Sequence, residues 1–320
     1  MLRNVYKSIL LFAVLSAIPA FTNNYQQYVV NLIFVNFLVS LGLAVLLGYC
    51  GQFSFASAGF MGIGAYTVGL CMVHLGFSYW LALTVAAVVS LLFSWIVGFM
   101  GLRLARYYLA IVTISFTLLM RFFYVNAGGI TFGPSGFNVP PPKLFGFALN
   151  NDHRIYYLLL VTVFLLTICT INILKSKVGR AFIAIRDAEN AAAAVSINVN
   201  LYKLFAFAIS GVLGGIAGGL FCVVIGRITP DEYGMPQILF HFLIVVLGGL
   251  GNILGLVLST VIVTILPEIA RGVRDLQEVI YGAVIIVILL FAPEGLYGLV
   301  QKLPFVHLRE KLHGNTAYDE

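Results

Sequence analysis

Charged residues are scarce in this sequence: Asp, Glu, Lys and Arg make up 9% of its 320 residues, whereas hydrophobic residues make up 61%. In a typical soluble domain, roughly a quarter of the residues are charged. The mean hydropathy is correspondingly high, at +1.03. The composition therefore excludes a soluble domain and is typical of a protein that crosses the membrane many times. The net charge of +6 is concentrated in a few loops, so it does not predict nucleic-acid binding.

Residue patterns that would carry chemistry are also missing. The four cysteines stand singly, without a CxxC pair or a metal-type histidine spacing, so neither a disulfide framework nor a metal site is predicted. The sequence has no GxxxxGK[ST] loop, and no Ser/His/Asp or paired-carboxylate pattern suggests an intramembrane enzyme. Ionisable residues are almost absent from the centres of the apolar runs, where an ion-coupled carrier holds its coupling ion. We therefore predict a chain that is not an enzyme and binds no cofactor of its own.

The sequence does contain a series of long apolar runs rich in Leu, Ile, Val, Ala, Gly and Phe. These runs lack repeated period-2 segments, which favours α-helices over a β-barrel. We predict a single all-α membrane domain over residues 1–320, a helical bundle of nine or ten membrane segments in which some helices are broken. The candidate segments are 9–20, 28–48, 48–69, 80–100, 107–125, 155–174, 204–225, 237–266 and 279–291.

Charged loops predict the orientation of these segments, because Lys and Arg accumulate on the cytoplasmic side. The loop 175–203 holds five of them against two acidic residues and is predicted to be cytoplasmic. The loop 126–154 has many helix breakers and few cations, which predicts an external loop. We interpret 9–20 as a retained span rather than a cleaved signal peptide. Ten segments are preferred to nine. If 237–266 crosses once, the basic C-terminal tail lies outside, against the positive-inside bias; if it crosses twice, both termini are cytoplasmic.

Within the loop 175–203, residues 181–195 predict one short amphipathic helix. Its polar arc consists of Arg186, Asp187, Glu189 and Asn190. Such a helix lies either along the membrane surface, as an ordinary connector, or in the groove of a partner protein. The residues alone leave both interpretations open. The bundle is typical of a transporter, but the sequence shows neither an ATP-binding loop nor residues for a coupling ion. This combination favours a partner protein that supplies the energy, and the loop 175–203 is where such a partner would bind.

Glycine-rich stretches interrupt the apolar runs at two places, and the first is 48–69. This stretch interleaves glycine and aromatic residues with four polar side chains, Gln52, Ser54, Ser57 and Thr67. Such a segment at membrane depth lines a cavity or allows close helix packing. We keep both interpretations and name these four residues as a candidate translocation path.

The second interruption, 248–255, reads GGLGNILG. It resembles a dinucleotide-binding fingerprint as a pattern, but no strand or βαβ unit surrounds it, so we interpret it as a helix break. The break is assigned to Gly248, Gly249 and Gly251. Two broken segments, one early and one late, are what inverted repeats produce. Three other glycines recur every four residues and predict a close helix-packing face: Gly211, Gly215 and Gly219.

Five blocks of sequence, taken in order, resemble one family of membrane proteins. They are GQFSFASAGFMGIGAY, LRLARYYLAIVTISF, GRAFIAIRDAENAAAAVSINVNLYKLFAFAISGVLGGIAGGL, VVLGGLGNILG and PEGLYGL. Together they resemble the branched-chain amino acid ABC transporter permeases of the LivM type, over residues 28–299. Two departures are visible: FSFASAGF stands where a Leu-Gly-His variant is common, and Ser196 stands where glycine is usual.

The resemblance implies a permease of the bacterial inner membrane that pairs with a LivH-type permease. Two cytoplasmic ATPase subunits, which use ATP and Mg²⁺, would drive the pair. A periplasmic binding protein would deliver leucine, isoleucine, valine or a related amino acid. The block that begins at Gly179 would seat an ATPase, which gives the polar arc a coupling role. Relatives of similar sequence carry urea, short amides or aromatic acids, and a stand-alone channel or secondary carrier is the alternative from another class.

Overall fold

The computed structural model describes residues 15–16, 19, 22–102, 106–144, 147–148, 152–269, 283 and 286. Most of the predicted segments 9–20 and 279–291 lie outside these residues, so the number of membrane segments stays a prediction. The α-helices of the described part are α1 (Asn24–Ala44), α2 (Ser57–His74), α3 (Tyr79–Leu102), α4 (Arg106–Asn126), α5 (Gly128–Thr131), α6 (Asp152–Lys175), α7 (Lys177–Asp187), α8 (Glu189–Ala194), α9 (Val199–Ile225), α10 (Met235–Gly248) and α11 (Ile253–Ile269).

Among the described residues, six helices are long and apolar enough to cross a membrane: 24–49, 57–74, 79–102, 108–126, 153–175 and 199–225. Helix α1 is extended to Tyr49 by a π-helix, Val45–Tyr49. The two later apolar helices, α10 and α11, are shorter. Helices satisfy their own backbone groups, which lipid cannot do for them. The prediction of an all-α polytopic membrane protein is confirmed.

Helix α9 is the centre of the bundle and packs against α1, α2 and α3. Glycine makes the closest of these approaches possible. A Cβ added at Gly64 would collide with the carbonyl oxygen of Gly215, and one added at Gly218 would collide with that of Met61. The backbones of α2 and α9 are therefore in direct contact, as small residues allow in membrane helices.

The glycines that recur every four residues lie on α9 where it faces α3. A Cβ at Gly211 would collide with Ser94, and one at Gly215 would collide with Ser90. At Gly219 a Cβ would lie 2.7 Å from Leu83 of α3 and 2.8 Å from Val68 of α2. Helix α9 thus uses one row of glycines against α3 and a second row, with Gly214 and Gly218, against α2.

Helices α3, α4 and α6 form an outer layer around this centre. Much of their apolar surface is exposed, as a surface in contact with lipid requires. The exposed side chains include Leu92, Trp95, Phe99, Leu119, Phe122 and Leu165.

The run 237–266, which is too long for one straight span, folds as the helix pair α10 and α11. Helix α10 ends at Gly248, and the turn that follows has positive φ angles at Gly249 (89°) and Gly251 (84°). These angles favour glycine, which has no Cβ to clash. Both helices pack against α1. A Cβ at Gly48 would lie 2.6 Å from the nitrogen of Gly251, so the turn touches the end of the π-helix.

The bundle has two ends, which we name by a residue at each. At the Arg186 end, Gly48, Arg186 and Gly251 lie in contact. At the Tyr233 end, strand β1 (Phe137–Asn138) pairs antiparallel with β4 (Arg227–Ile228), and a 3₁₀ helix, Pro230–Tyr233, follows. Another 3₁₀ helix covers Gly133–Ser135, and strand β2 (Lys143–Leu144) pairs with β3 (Phe147–Ala148). The pairing of β1 with β4 joins the predicted external loop to the turn after α9.

Candidate functional site

The loop 175–203 folds as two short helices, α7 and α8, at the Arg186 end. Helix α7 begins after Ser176, whose Oγ accepts a hydrogen bond from the nitrogen of Val178 (3.1 Å). It ends at Asp187, because Ala188 takes an extended conformation (φ −155°, ψ 89°). The prediction of one helix over 181–195 is therefore wrong. Asp187 is a poor residue for a helix interior, and Glu189 is favourable in the first turn of a new helix, since its charge complements the helix dipole.

The apolar face of the two helices is buried against the bundle. Phe182 and Ile185 have no exposed surface, and Ala192 is buried as well. They belong to one hydrophobic cluster with Val45 and Leu46 of the π-helix. Burial of a side chain such as Phe or Ile contributes roughly 1.5–3 kcal/mol. The loop is therefore packed firmly onto the bundle, and a displacement of the loop has to move the segments below it.

Arg186 is the residue that connects this loop to the broken part of the bundle. Its Nη1 donates a hydrogen bond to the carbonyl oxygen of Gly48 (2.8 Å), at the end of the π-helix. Its Nε donates to Oδ1 of Asp187 (2.9 Å). A cation near the end of a helix is favourable, since the unpaired carbonyls there carry partial negative charge.

Two glycines with positive φ make room for the Arg186 side chain. At Gly51 (φ 69°), a Cβ would lie 2.8 Å from Cγ of Arg186. At Gly251 (φ 84°), a Cβ would lie 3.4 Å from Nη1 of Arg186 and 3.4 Å from the oxygen of Gly48. Arg186 thus contacts the start of the first interruption, at Gly48 and Gly51, and lies beside the turn of the second, at Gly251. One side chain of the loop meets both interruptions.

The other residues of the predicted polar arc face different surroundings. Oε1 of Glu189 lies 2.6 Å from Nζ of Lys203, so α8 is paired with the first turns of α9. Asp187 is exposed and pairs with Arg186, and Asn190 is exposed. The four predicted coupling residues therefore differ in their surroundings. Arg186 and Glu189 attach the loop to the bundle, whereas Asp187 and Asn190 are exposed.

Three of the four candidate path residues are brought together near the Arg186 end. Gln52, Ser54 and Ser57 are all buried; the first two lie in the segment that joins the π-helix to α2, and Ser57 is the first residue of α2. The nitrogen of Gln52 donates to the oxygen of Leu46 (2.9 Å), and Oγ of Ser57 has no hydrogen-bond partner in the described part of the chain. Thr67 lies ten residues further along α2, about 15 Å away at 1.5 Å per residue. The structure therefore does not bring Thr67 to the other three.

The family model for the permease component of the branched-chain amino acid transport system matches residues 26–289 of this chain. The chain belongs to this permease family. The match runs from the first turn of α1 through α11 and includes both interruptions, so the recognition made from five sequence blocks is confirmed.

Curated relatives agree with this assignment. The permease is 30% identical to the high-affinity branched-chain amino acid transport system permease protein LivM of Escherichia coli K12, over 91% of this chain and 73% of the relative. It is 32% identical to LivM of Salmonella typhimurium LT2, over 88% of this chain and 71% of the relative. Its similarity to LivH of the same Salmonella strain is lower, 24%, over 82% of this chain and 90% of the relative. No solved structure matches the chain.

Ser196 marks the end of α8 in this permease. It has a positive φ of 63°, which is uncommon for a residue with a side chain. The nitrogen of Ser196 donates to the oxygen of Ala193 (3.2 Å), and that of Ile197 donates to the oxygen of Ala192 (3.2 Å). This pair of bonds is a Schellman motif, in which Ser196 occupies the position that glycine usually fills. The departure from the family pattern noted in the sequence is therefore a departure at a left-handed backbone position.

Two threonines of α4 hold the segment of the candidate path, and sequence reasoning missed this role. Oγ1 of Thr113 accepts a hydrogen bond from the nitrogen of Phe55 (2.9 Å), and Oγ1 of Thr117 donates to the oxygen of Phe55 (3.1 Å). A hydroxyl on a helix usually bonds back to its own backbone, so the spacing in α4 gave no sign of a distant partner. Lys203 was missed as well, because its partner Glu189 lies on another helix.

Proposed function

We propose that this permease forms, together with a LivH-type permease, the membrane path through which a bacterium imports branched-chain amino acids. ATP hydrolysis in two cytoplasmic ATPase subunits drives the import, and a periplasmic binding protein delivers the amino acid. The chain lies in the inner membrane with both termini in the cytoplasm and is surrounded by lipid. ATP and Mg²⁺ bind the partner subunits. Similarity to both LivM and LivH relatives over more than four fifths of the chain supports the pairing.

The contact between Arg186 and Gly48 is the observation that carries this proposal. An imported solute needs a path that opens alternately to the two sides, and this chain has its two breaks where Arg186 lies. When an ATPase moves α7 and α8, Arg186 moves the end of the π-helix and the turn at Gly251. A hydrogen bond from a charged donor contributes about 1.5–3 kcal/mol. Coupling free energies between distant sites are of the same size, about 1–3 kcal/mol.

The surface of the loop that faces away from the bundle is suited to seat the ATPase. Asp187 and Asn190 are exposed there, and so are the apolar side chains of Ile183 and Val195. Exposed apolar residues surrounded by polar ones are typical of a protein interface. Gln52, Ser54 and Ser57 lie beside the contact that this loop makes with Gly51, so the path is proposed to open at this end.

The experiment compares Arg186→Gln with a matched control in the complete transporter reconstituted in vesicles. Arg180→Gln removes the same charge from the same helix, at an exposed position. We expect Arg186→Gln to lower ATP-driven leucine uptake by about tenfold or more, which corresponds to about 1.4 kcal/mol of lost coupling. ATPase subunits should still co-purify with the variant, and ATP hydrolysis should continue although uptake falls. Parental uptake by Arg186→Gln, or an equal loss in Arg180→Gln, contradicts the coupling role.

The same vesicles test the substrate and the class of transporter. Competition with urea, short amides and aromatic acids should leave leucine uptake unchanged, whereas isoleucine and valine should reduce it. Vesicles that hold only the two permeases should show no flux. Amino acid flux without the ATPase subunits would identify a stand-alone carrier and overturn the proposal.

A further inference from the structure

Three buried tyrosines meet at the Tyr233 end, far along the bundle from Arg186. Tyr66 lies on α2, Tyr124 on α4 and Tyr233 in the 3₁₀ helix after α9, and each is at most 2% exposed. The rings of Tyr66 and Tyr124 are stacked, with centroids 3.9 Å apart and an interplanar angle of 8°. The ring of Tyr233 meets both edge-on, at 5.9 Å and 6.2 Å. We call these three residues the tyrosine cluster.

The surrounding residues fix the position of the cluster. Gly62 of α2 leaves space for two of the rings, since a Cβ there would lie 3.0 Å from Tyr124 and 3.1 Å from Tyr233. Nη2 of Arg121 on α4 lies 2.7 Å from Oδ1 of Asp231, which attaches the 3₁₀ helix to α4. Three separate segments of the chain are thus held together around the three rings.

All three hydroxyls of the tyrosine cluster are buried and have no hydrogen-bond partner among the described residues. Oε2 of Glu232, next to Tyr233 in the chain, is in the same condition. Buried polar atoms without partners are rare and costly, so a group of four needs an explanation. Other buried tyrosines of this permease do find partners: Tyr79 donates to the oxygen of Gly219 (3.3 Å), and Tyr156 donates to that of Leu15 (2.5 Å). Among the buried tyrosines of the described residues, only the three of this cluster have unpartnered hydroxyls.

Electrostatic interactions link Glu232 to the tyrosine cluster. Burial raises the pKa of Glu232 to about 7, Asp231 adds to the rise, and a hydrogen bond with Thr229 opposes it. Burial also raises the pKa of Tyr233, and the charge of Glu232 and the hydroxyls of Tyr66 and Tyr124 add to that rise. The carboxylate and the hydroxyls all offer acceptor oxygens, whereas an ammonium group has three N–H donors and no acceptor. The chemistry of the group is complementary to an ammonium ion.

We propose that Glu232 and the hydroxyls of the tyrosine cluster form a binding site for the ammonium group of the amino acid as it enters the bundle. The inference rests on the proposed import of amino acids and names the part of the substrate that this end recognises. In this structure the buried rings of Tyr66 and Tyr124 are stacked against each other. Their separation would expose acceptors that the entering ammonium group then satisfies. Urea and uncharged amides lack a positive charge for Glu232, so the site favours amino acids over them.

The experiment removes single hydroxyls from the complete transporter, with its binding protein, in vesicles. Tyr66→Phe, Tyr124→Phe and Tyr233→Phe should each lower kcat/KM for leucine uptake by about tenfold, mainly through KM. Tyr79→Phe is the matched control and should stay within about twofold of the parent. Because the lost hydroxyls have no partners, the three variants should be as thermostable as the parent or more so. A purely structural role predicts the reverse, lower thermostability with unchanged KM.

Glu232→Gln supplies an independent readout. The ionised carboxylate binds the ammonium group, and protonation below about pH 7 removes its charge. Leucine uptake by the parent should therefore fall as the external pH is lowered from 8 to 6, and Glu232→Gln should lose this dependence. The variant shows whether the pH dependence comes from this carboxyl or from another titratable or charged group near it. The other groups are Asp231, Arg121, Cys222 and the three tyrosines.

The outcomes distinguish the two proposals. If the parent shows no ATP-driven amino acid uptake, the proposed function fails. If the parent transports and the tyrosine and Glu232 variants match it in KM and pH profile, the ammonium site is overturned while the transporter stands. Equal losses in Tyr79→Phe also overturn the site.

Discussion

Ser196 holds a backbone conformation that its own side chain makes unfavourable. A left-handed φ costs a residue with a Cβ roughly 1–2 kcal/mol, whereas glycine takes it freely. Ser196 is exposed, and the two hydrogen bonds of its turn use only backbone atoms. The position thus carries a local cost that no side-chain contact in the described residues offsets.

We expect Ser196→Gly to stabilise the permease by up to about 1 kcal/mol, since the release of strain exceeds the added freedom of the unfolded chain. Ala191→Gly, at an exposed position of the same helix, is the control and should destabilise by about 0.5–1 kcal/mol. Thermal unfolding of the purified complex in detergent measures both. A lower midpoint of thermal unfolding for Ser196→Gly than for the parent would show that the backbone at Ser196 is not strained.

The packing of α2 on α9 depends on glycines from both helices. A Cβ at Gly64 would enter the carbonyl oxygen of Gly215, an atom that cannot rotate away as a side chain could. The two helices would have to move apart. This movement would also displace Gly62 of α2 from the rings of Tyr124 and Tyr233. Overpacking of this kind typically costs about 1–3 kcal/mol.

We therefore expect Gly64→Ala to lower the stability of the permease by at least about 1 kcal/mol and to reduce its yield in the membrane. Gly128→Ala tests the same chemical change where a Cβ meets nothing within 4 Å. It should unfold at the parental temperature, within the error of a thermal-shift measurement. Parental stability of Gly64→Ala would show that α2 and α9 are further apart than described.

These helices also show what sequence could and could not predict. The apolar runs and the loop charges were enough for the all-α membrane bundle, because lipid requires helices of a certain length and composition. The glycine row from Gly211 to Gly219 is visible as a four-residue period. Gly214 and Gly218 of the second row are also four residues apart, but the spacing does not show that they face Phe60 and Met61 of another helix. The direction of Arg186 was hidden as well: amphipathicity predicts which face of α7 is polar, but not that a long side chain turns back to Gly48.

The tyrosine cluster could not have been predicted from any local pattern. Tyr66, Tyr124 and Tyr233 are separated by more than fifty residues at each step, and only the folded bundle brings α2, α4 and the turn after α9 together. In a sequence with 16 tyrosines, none of the three stands out. What distinguishes them is the absence of hydrogen-bond partners within the described structure, which is a property of packing.

Considered as one molecule, the permease has a polar contact at one end, a group of buried polar atoms at the other and an apolar belt between them. The contact of Arg186 with Gly48 lies at one end, and the tyrosine cluster lies at the other. Helices α2 and α9 run between these ends with directly touching backbones. Close-packed elements of this kind shift as units instead of deforming gradually. A displacement of the loop at one end can thus reach the stacked rings at the other end.

This arrangement requires that α7–α8 and the segment after α4 lie on opposite sides of the membrane. Ala188 and Gly128 are exposed at the two ends, and α4, with 21 residues, spans about 30 Å at 1.5 Å per residue. In a background with the four cysteines replaced, a membrane-impermeant maleimide added to intact spheroplasts should label Gly128→Cys and not Ala188→Cys. Permeabilisation should expose Ala188→Cys. Leu92→Cys, exposed on the lipid-facing surface of α3, should stay unlabelled in both conditions, because a thiol in lipid does not ionise. Labelling of Ala188→Cys and Gly128→Cys from the same side would contradict the orientation, and with it the access of an ATPase to Arg186.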